Sequence, residues 1–85
     1  MSGETRVLID TLGTACPIPV IELAKAVSEA VPGTIFEVLS DDAGAKVDIP
    51  VWCRMKHQEF LGREDRDRGW AFLVRVAPPS PGSHT

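Results

Sequence analysis

The chain has 85 residues, with 9 basic against 12 acidic side chains, a formal charge of −3 and 44% apolar residues. That length gives one small domain with a modest core, and the acidic balance excludes the positive footprint of a protein that binds nucleic acid directly. Met1 to Arg6 lack the apolar stretch of a signal peptide, no apolar run reaches membrane-spanning length, and two cysteines without a secretory signal point to free thiols in a reducing cytoplasm.

Arg6-Val7-Leu8-Ile9-Asp10 reads as a short strand, ended by a turn at Gly13. The next stretch, Cys16-Pro17-Ile18-Pro19, is the most informative of the chain. Proline is favoured at the first helical position, which needs no N–H donor, so Cys16 is expected at the N-cap. A helix N-terminus favours negative charge, so the Cys16 thiolate is expected to form slightly more easily than in free cysteine, below the ordinary pKa of about 8.5. The alternative is a small buried cysteine beside incidental prolines; the position, at a strand-to-helix turn, favours an exposed rim.

From Pro17 to Ala30, followed by Val31, the apolar residues Val20, Leu23, Ala24, Val27 and Val31 recur at helical spacing, and Pro32-Gly33 ends the helix. Thr34 to Leu39 is the best strand, rich in β-branched and aromatic residues. Ser40-Asp41-Asp42 is a turn with strong capping residues. Asp48-Ile49-Pro50 resembles an N-cap and first turn, giving a helix from about Ile49 to His57 with a turn of helix before it. Phe60 to Arg63 forms a short strand and Asp65 to Gly69 a charged hairpin loop. Trp70 to Val76 is the last strand, with Trp70, Phe72, Val74 and Val76 on one face. Residues 1–77 then form one domain. Residues 78–85, with Pro78, Pro79, Pro81, Gly82 and Ser83, form a tail expected to be disordered.

The expected fold is an α/β chain of order βαβαββ. It is an α+β two-layer sandwich, with a four-stranded mixed sheet and both helices packed on one face. The first two strands, joined by a helix, are expected to be parallel neighbours with a right-handed crossover, and the last two an antiparallel hairpin. Arg6, Glu37, Arg63 and Arg75 are expected to make the open sheet face partly polar.

These blocks together resemble the TusA family of small sulfur carriers, also called SirA-like, from Val7 to Val76. Asp10 and Gly13 precede Cys16-Pro17-Ile18-Pro19, which matches the family's Cys-Pro-x-Pro signature. Lys25 and Gly33 match later positions of that block. Asp41-Asp42, Asp48-Ile49-Pro50 and Trp52-Cys53 match the second block, and Gly69 with Phe72 the C-terminal end. Thr14 stands where the family usually has Leu, Ala43 where it usually has Pro, and His57-Gln58 where it more often has Gly-His.

The resemblance implies that Cys16 accepts a persulfide sulfur from a cysteine desulfurase or a rhodanese-type sulfurtransferase and relays it to an acceptor protein. The product would be thiolated tRNA, molybdenum cofactor or another thiolated compound. Such a chain is a sulfurtransferase only together with its partner enzymes, needs no cofactor, and is expected to be a monomer when free. Two other function classes stay open. A thiol redox protein would cycle Cys16 and Cys53, but the chain lacks Cys-x-x-Cys. A non-catalytic regulatory or interaction domain would keep full function with Cys16→Ser.

Other candidates carry plainer readings. Cys53 falls near one helical face with Ile49 and Trp52 and reads as packed, with a resolving or second-carrier role as the alternative. Asp41 and Asp42 read as caps and turn residues in preference to a catalytic carboxylate pair, and Asp48 reads as an N-cap. Lys25 is about two and a half helical turns beyond Cys16, too far to activate it, so a solvated or docking role is expected. Arg54 and Lys56 read as a solvated face or a basic docking rim, and Trp52 and Trp70 as core. Two cysteines are too few for a structural zinc site, so no metal is expected.

Overall fold

Alternation and β-branching in Arg6–Asp10 (β1) and Ile35–Ser40 (β2) produce two strands that pair in parallel, with Val7 opposite Phe36 and Ile9 opposite Val38. The computed structural model describes residues 5–78. The remaining elements are the helices Ile18–Ser28 (α1) and Ala45–Lys56 (α2) and the strands Glu59–Asp65 (β3) and Trp70–Arg75 (β4). Strand order is β1-β2-β4-β3, with β4 antiparallel to both neighbours. This is the expected βαβαββ α+β fold with a mixed sheet. The expected disordered tail at 78–85 falls, from residue 79 on, outside the described residues.

One face of the sheet carries the core. Phe36 opposite Val74 and Val38 opposite Phe72 meet Leu23 of α1 and Ile49 and Cys53 of α2, all buried. Ala45, Ile49 and Cys53 recur every four residues, and this buried stripe is what holds α2 to the sheet. Fully burying side chains of this size contributes about 1.5–3 kcal/mol each before entropy is subtracted.

Element boundaries differ from the sequence reading at informative places. α1 begins one residue late, with Pro17 itself at the N-cap, so Cys16 lies just outside the helix. Val31, expected on the apolar stripe, is 71% exposed because the helix ends at Ser28. α2 begins four residues before Ile49. Gly44 occupies its N-cap, Asp48 lies in its first turn, and Pro50 sits inside the helix. Asp48 is therefore no N-cap. Capping chemistry and a first-turn acid share a composition, because both answer the same helix-end charge.

The helix-free face is partly polar, as expected: Leu8, Ile35, Ala71 and Leu73 share it with a charged network whose members differ in part from those expected. Arg66 donates to Glu37 at 2.9 Å and to Glu64 at 2.9 Å, Arg75 pairs with Glu59 at 2.8 Å, and Arg6 lies 4.0 Å from Glu37. Arg63 does not belong to this network. An irregularity between Phe60 and Gly62 shifts the register, so Arg63 stands opposite Phe72, a core-face residue.

Candidate functional site

Parallel pairing brings the C-terminal ends of β1 and β2 to one edge of the sheet, with Asp10 opposite Leu39. The loops that follow the two strands therefore meet, although they are far apart in sequence. Thr11 fixes the first loop by donating its backbone N–H (2.9 Å) and its hydroxyl (2.6 Å) to the Leu39 carbonyl. The two aspartates after β2 then reach back to the first loop. Asp41 Oδ1 accepts the Gly13 N–H at 3.1 Å, and Asp42 Oδ2 accepts the Cys16 N–H at 2.9 Å.

The β3–β4 turn closes a third side. Arg68 donates to Asp41 Oδ2 at 2.7 Å. Gly69 lies in the left-handed region, with φ 73°, and a Cβ there would stand 2.8 Å from the Asp41 Cα. Only glycine lets the turn approach the Asp41 backbone this closely. Asp41 and Asp42 are thus tethers of the cysteine loop as well as turn residues, which corrects the capping reading. Their carboxyls are held below the usual range, that of Asp41 mainly by the Gly13 N–H and then by Arg68, and that of Asp42 by the Cys16 backbone N–H and thiol.

The Cys16 thiol is half-buried at the junction of these loops, next to the N-terminal ends of both helices. The Cys16–Pro17 peptide bond is cis. Its thiol does not have the lowered pKa that the helix end suggested. Loss of hydration, then hydrogen bonds from the thiol to the Asp42 and Asp48 carboxylates, then their negative charge push it up to about 12. A helix end is worth about 0.3–1 kcal/mol at an exposed site. Loss of hydration, reinforced by the two carboxylates beside the thiol, outweighs it.

Beside the thiol runs a shallow groove of about 220 Å³ between α1 and α2, lined by Pro17, Val20, Asp48, Val51, Trp52 and Met55. Ile18 (41%), Ile21 (45%), Val47 (64%) and Met55 (66%) leave apolar surface open on the same two helices. Trp52 thus packs against the core while also lining this groove, and Trp70 packs against the core with the Lys46 ammonium 4.5 Å from its ring centre. A larger hollow, of about 440 Å³, lies where both helices end, against Val27, Lys56, His57 and Val76, and neither cysteine lines it.

The second thiol lies elsewhere. Cys53 is 1% exposed within the core, and burial alone pushes it up to about 11. Lys25, Arg54 and Lys56 are exposed in the last turns of their helices, away from the N-terminal ends that flank Cys16. Among the described residues no group of three or more His, Cys, Asp and Glu could hold a metal ion, and no helix is long and apolar enough to cross a membrane.

Similar proteins share this architecture. A SirA-like protein of Desulfitobacterium hafniense, solved by crystallography, superposes with a TM-score of 0.71 at 28% identity, over 86% of this chain and 99% of that one. A protein of Archaeoglobus fulgidus named as a candidate sulfur carrier is 38% identical over 69 residues, 80% of this chain and 90% of its own length. YrkI of Bacillus subtilis, named in the same way, is 36% identical over 68% of this chain and 77% of its own. The family model described as sulfurtransferase TusA matches residues 7–76, a span that runs from β1 to the residue after β4 and takes in both aspartate-tethered loops and the thiol between them, so the chain belongs to the TusA family.

Proposed function

We propose that the protein is a sulfur carrier that takes a persulfide sulfur onto Cys16 and hands it to an acceptor protein. The observation that carries this reading is the Cys16 thiol, held half-buried by two aspartate-tethered loops beside an apolar groove. A thiol at a rim can be reached by a second protein, and the exposed Ile18, Ile21, Val47 and Met55 offer that protein apolar surface to cover.

The transfer is thiol exchange. The Cys16 sulfur attacks the outer sulfur of a donor persulfide, R–S–SH. The donor S–S bond breaks, a new one forms at Cys16, and the donor leaves as R–SH carrying the proton that Cys16 gives up. Asp42 and Asp48 flank the thiol and steady the proton until the departing donor thiolate takes it up. In the second step an acceptor thiol attacks the outer sulfur and returns Cys16 as the free thiol. The nearby carboxylates disfavour a persulfide anion at Cys16, which favours its release to the acceptor.

The donor in this reading is a cysteine desulfurase or a rhodanese-type enzyme of the cytoplasm. The unit that carries the sulfur is residues 1–77. Incubation with a desulfurase and cysteine, followed by intact-mass and peptide mass spectrometry, tests it. One added sulfur on the Cys16 peptide is expected. Sulfur found only on Cys53, or full loading of Cys16→Ser, overturns it, and full biological function with Cys16→Ser favours the interaction-domain reading.

A further inference from the structure

Gly44 has no conformational reason to be glycine. At the N-cap of α2 its backbone is right-handed, with φ −60° and ψ −30°, a region every L-residue occupies. Glycine is among the residues favoured at a helix start, though behind those with a capping side chain, so the N-cap alone does not single it out. What distinguishes the position is its neighbours. A Cβ on Gly44 would stand 3.6 Å from Cys16 Sγ, 3.6 Å from Cys16 Cβ and 3.1 Å from Asp42 Oδ2. A side chain at this position would thus be in van der Waals contact with the thiol, and glycine leaves that contact position open.

An outer sulfur on Cys16 would be carried about 2.05 Å beyond Sγ, the ordinary S–S bond length. Turned toward α2, it would overlap a methyl group placed on Gly44. We propose that Gly44 is a specificity-determining position, whose bare Cα leaves the seat that the outer sulfur occupies once Cys16 is loaded. The inference rests on the reading of Cys16 as the sulfur carrier. The seat is small, and its rim is the Asp42 carboxylate on one side and the α2 backbone on the other.

The experiment uses the full chain with Gly44→Ala and Gly44→Val and inorganic polysulfide as the sulfur source, so that no partner protein enters. In loading, Cys16–SH and H–Sₙ–H give Cys16–S–SH and H–Sₙ₋₁–H, with one S–S bond broken and one formed. The rate of gain of one sulfur and the lifetime of the product are read by intact mass. Iodoacetamide labelling of Cys16 reports thiol ionisation separately, and melting temperature reports folding. Loading is expected to fall about tenfold in Gly44→Ala and further in Gly44→Val, an effect expected when reacting atoms are displaced by a fraction of an ångström. Labelling should stay within about threefold, because both carboxylates remain. Unchanged loading in both variants overturns the proposal, as does a fall in loading matched by an equal fall in labelling, which would place the effect on Asp42 and thiol ionisation. If Cys16→Ser takes up sulfur as well as the wild type does, the carrier reading itself fails, independently of Gly44.

Discussion

Both cysteines have thiols that resist ionisation, and they do so for different reasons. Cys53 is shut in the core between α2 and the sheet, and burial alone accounts for its shift. Cys16 sits half-buried at a loop junction, where loss of hydration comes first and the neighbouring Asp42 and Asp48 carboxylates add to it. Only unfolding relieves the first shift. Moving or neutralising two side chains relieves much of the second. A protonated thiol is thus sealed in the core in one place and held at a loop junction in the other, and the pKa alone does not tell them apart.

The sharpest division between the two is loading. Cys16→Ser should carry no sulfur after incubation with a desulfurase and cysteine, whereas Cys53→Ala should load to the wild-type extent, both read by intact mass. Loading lost in Cys53→Ala, with its melting transition intact, would mean that the buried thiol takes part after all.

Stability should divide the molecule the other way. Leu23 is fully buried against the same core as Cys53, so Leu23→Ala should cost about 2–5 kcal/mol in denaturant unfolding. Cys16→Ser should cost less than about 1 kcal/mol, since the tether from Asp42 goes to the backbone N–H that serine keeps. Equal losses would show that the site is part of the core's cooperative packing.

Asp48→Asn and Asp42→Asn test the cause of the Cys16 shift. Each removes a negative charge beside the thiol, so the Cys16 pKa should fall by about one unit and iodoacetamide labelling at neutral pH should rise about tenfold. Cys53 labelling should not change. No change at Cys16 in either variant would leave loss of hydration as its sole cause.

The smallest effects are in the pH dependence of stability. Both thiols have folded pKa values raised above the ordinary value of about 8.5, so their neutral forms are favoured in the fold. Their contribution is complete below that value and is lost as pH rises toward about 11 for Cys53 and about 12 for Cys16. Cys53→Ala should flatten this alkaline decline. The lowered Asp41 and Asp42 act with the opposite sign: their contribution is present above the ordinary carboxylate pKa of about 4 and is lost as pH falls through their depressed values. Asp41→Asn should flatten the acid limb. Denaturant midpoints across the pH range read both limbs.

The elements with strong local signals were legible in the sequence. The β-branched runs at Arg6–Asp10 and Ile35–Ser40 and the alternation of Trp70–Arg75 lie where the pattern puts them, give or take a residue. The start of α2 was not, because Asp48-Ile49-Pro50 has the composition of a helix start and the true start, at Gly44, carries no side-chain cap. Arg63 was placed on the wrong face because one irregularity in β3 reverses the alternation beyond it. At the candidate site, the Cys-Pro-Ile-Pro stretch singles out a thiol but does not reveal its electrostatics. Asp42 meets Cys16 across 26 residues, and no local period reports such a contact. A signal was nevertheless present. In a β-α-β unit with parallel strands, loops after successive strands emerge at the same sheet edge, where ligand sites of open α/β sheets form. Two acids directly after the second strand therefore fall beside a cysteine shortly after the first.

The dependence of the site on parallel pairing has a consequence for damaged copies of the protein. In a chain whose β1 and β2 have not come together, Cys16 has lost its partial burial as well as its carboxylate neighbours, and its thiol moves back toward the ordinary value of about 8.5. Such a chain carries more thiolate at neutral pH than the native one, and thiolate is the form that oxidants and electrophiles attack. Labelling of Cys16 at neutral pH is therefore expected to be faster in unfolded molecules than in folded ones.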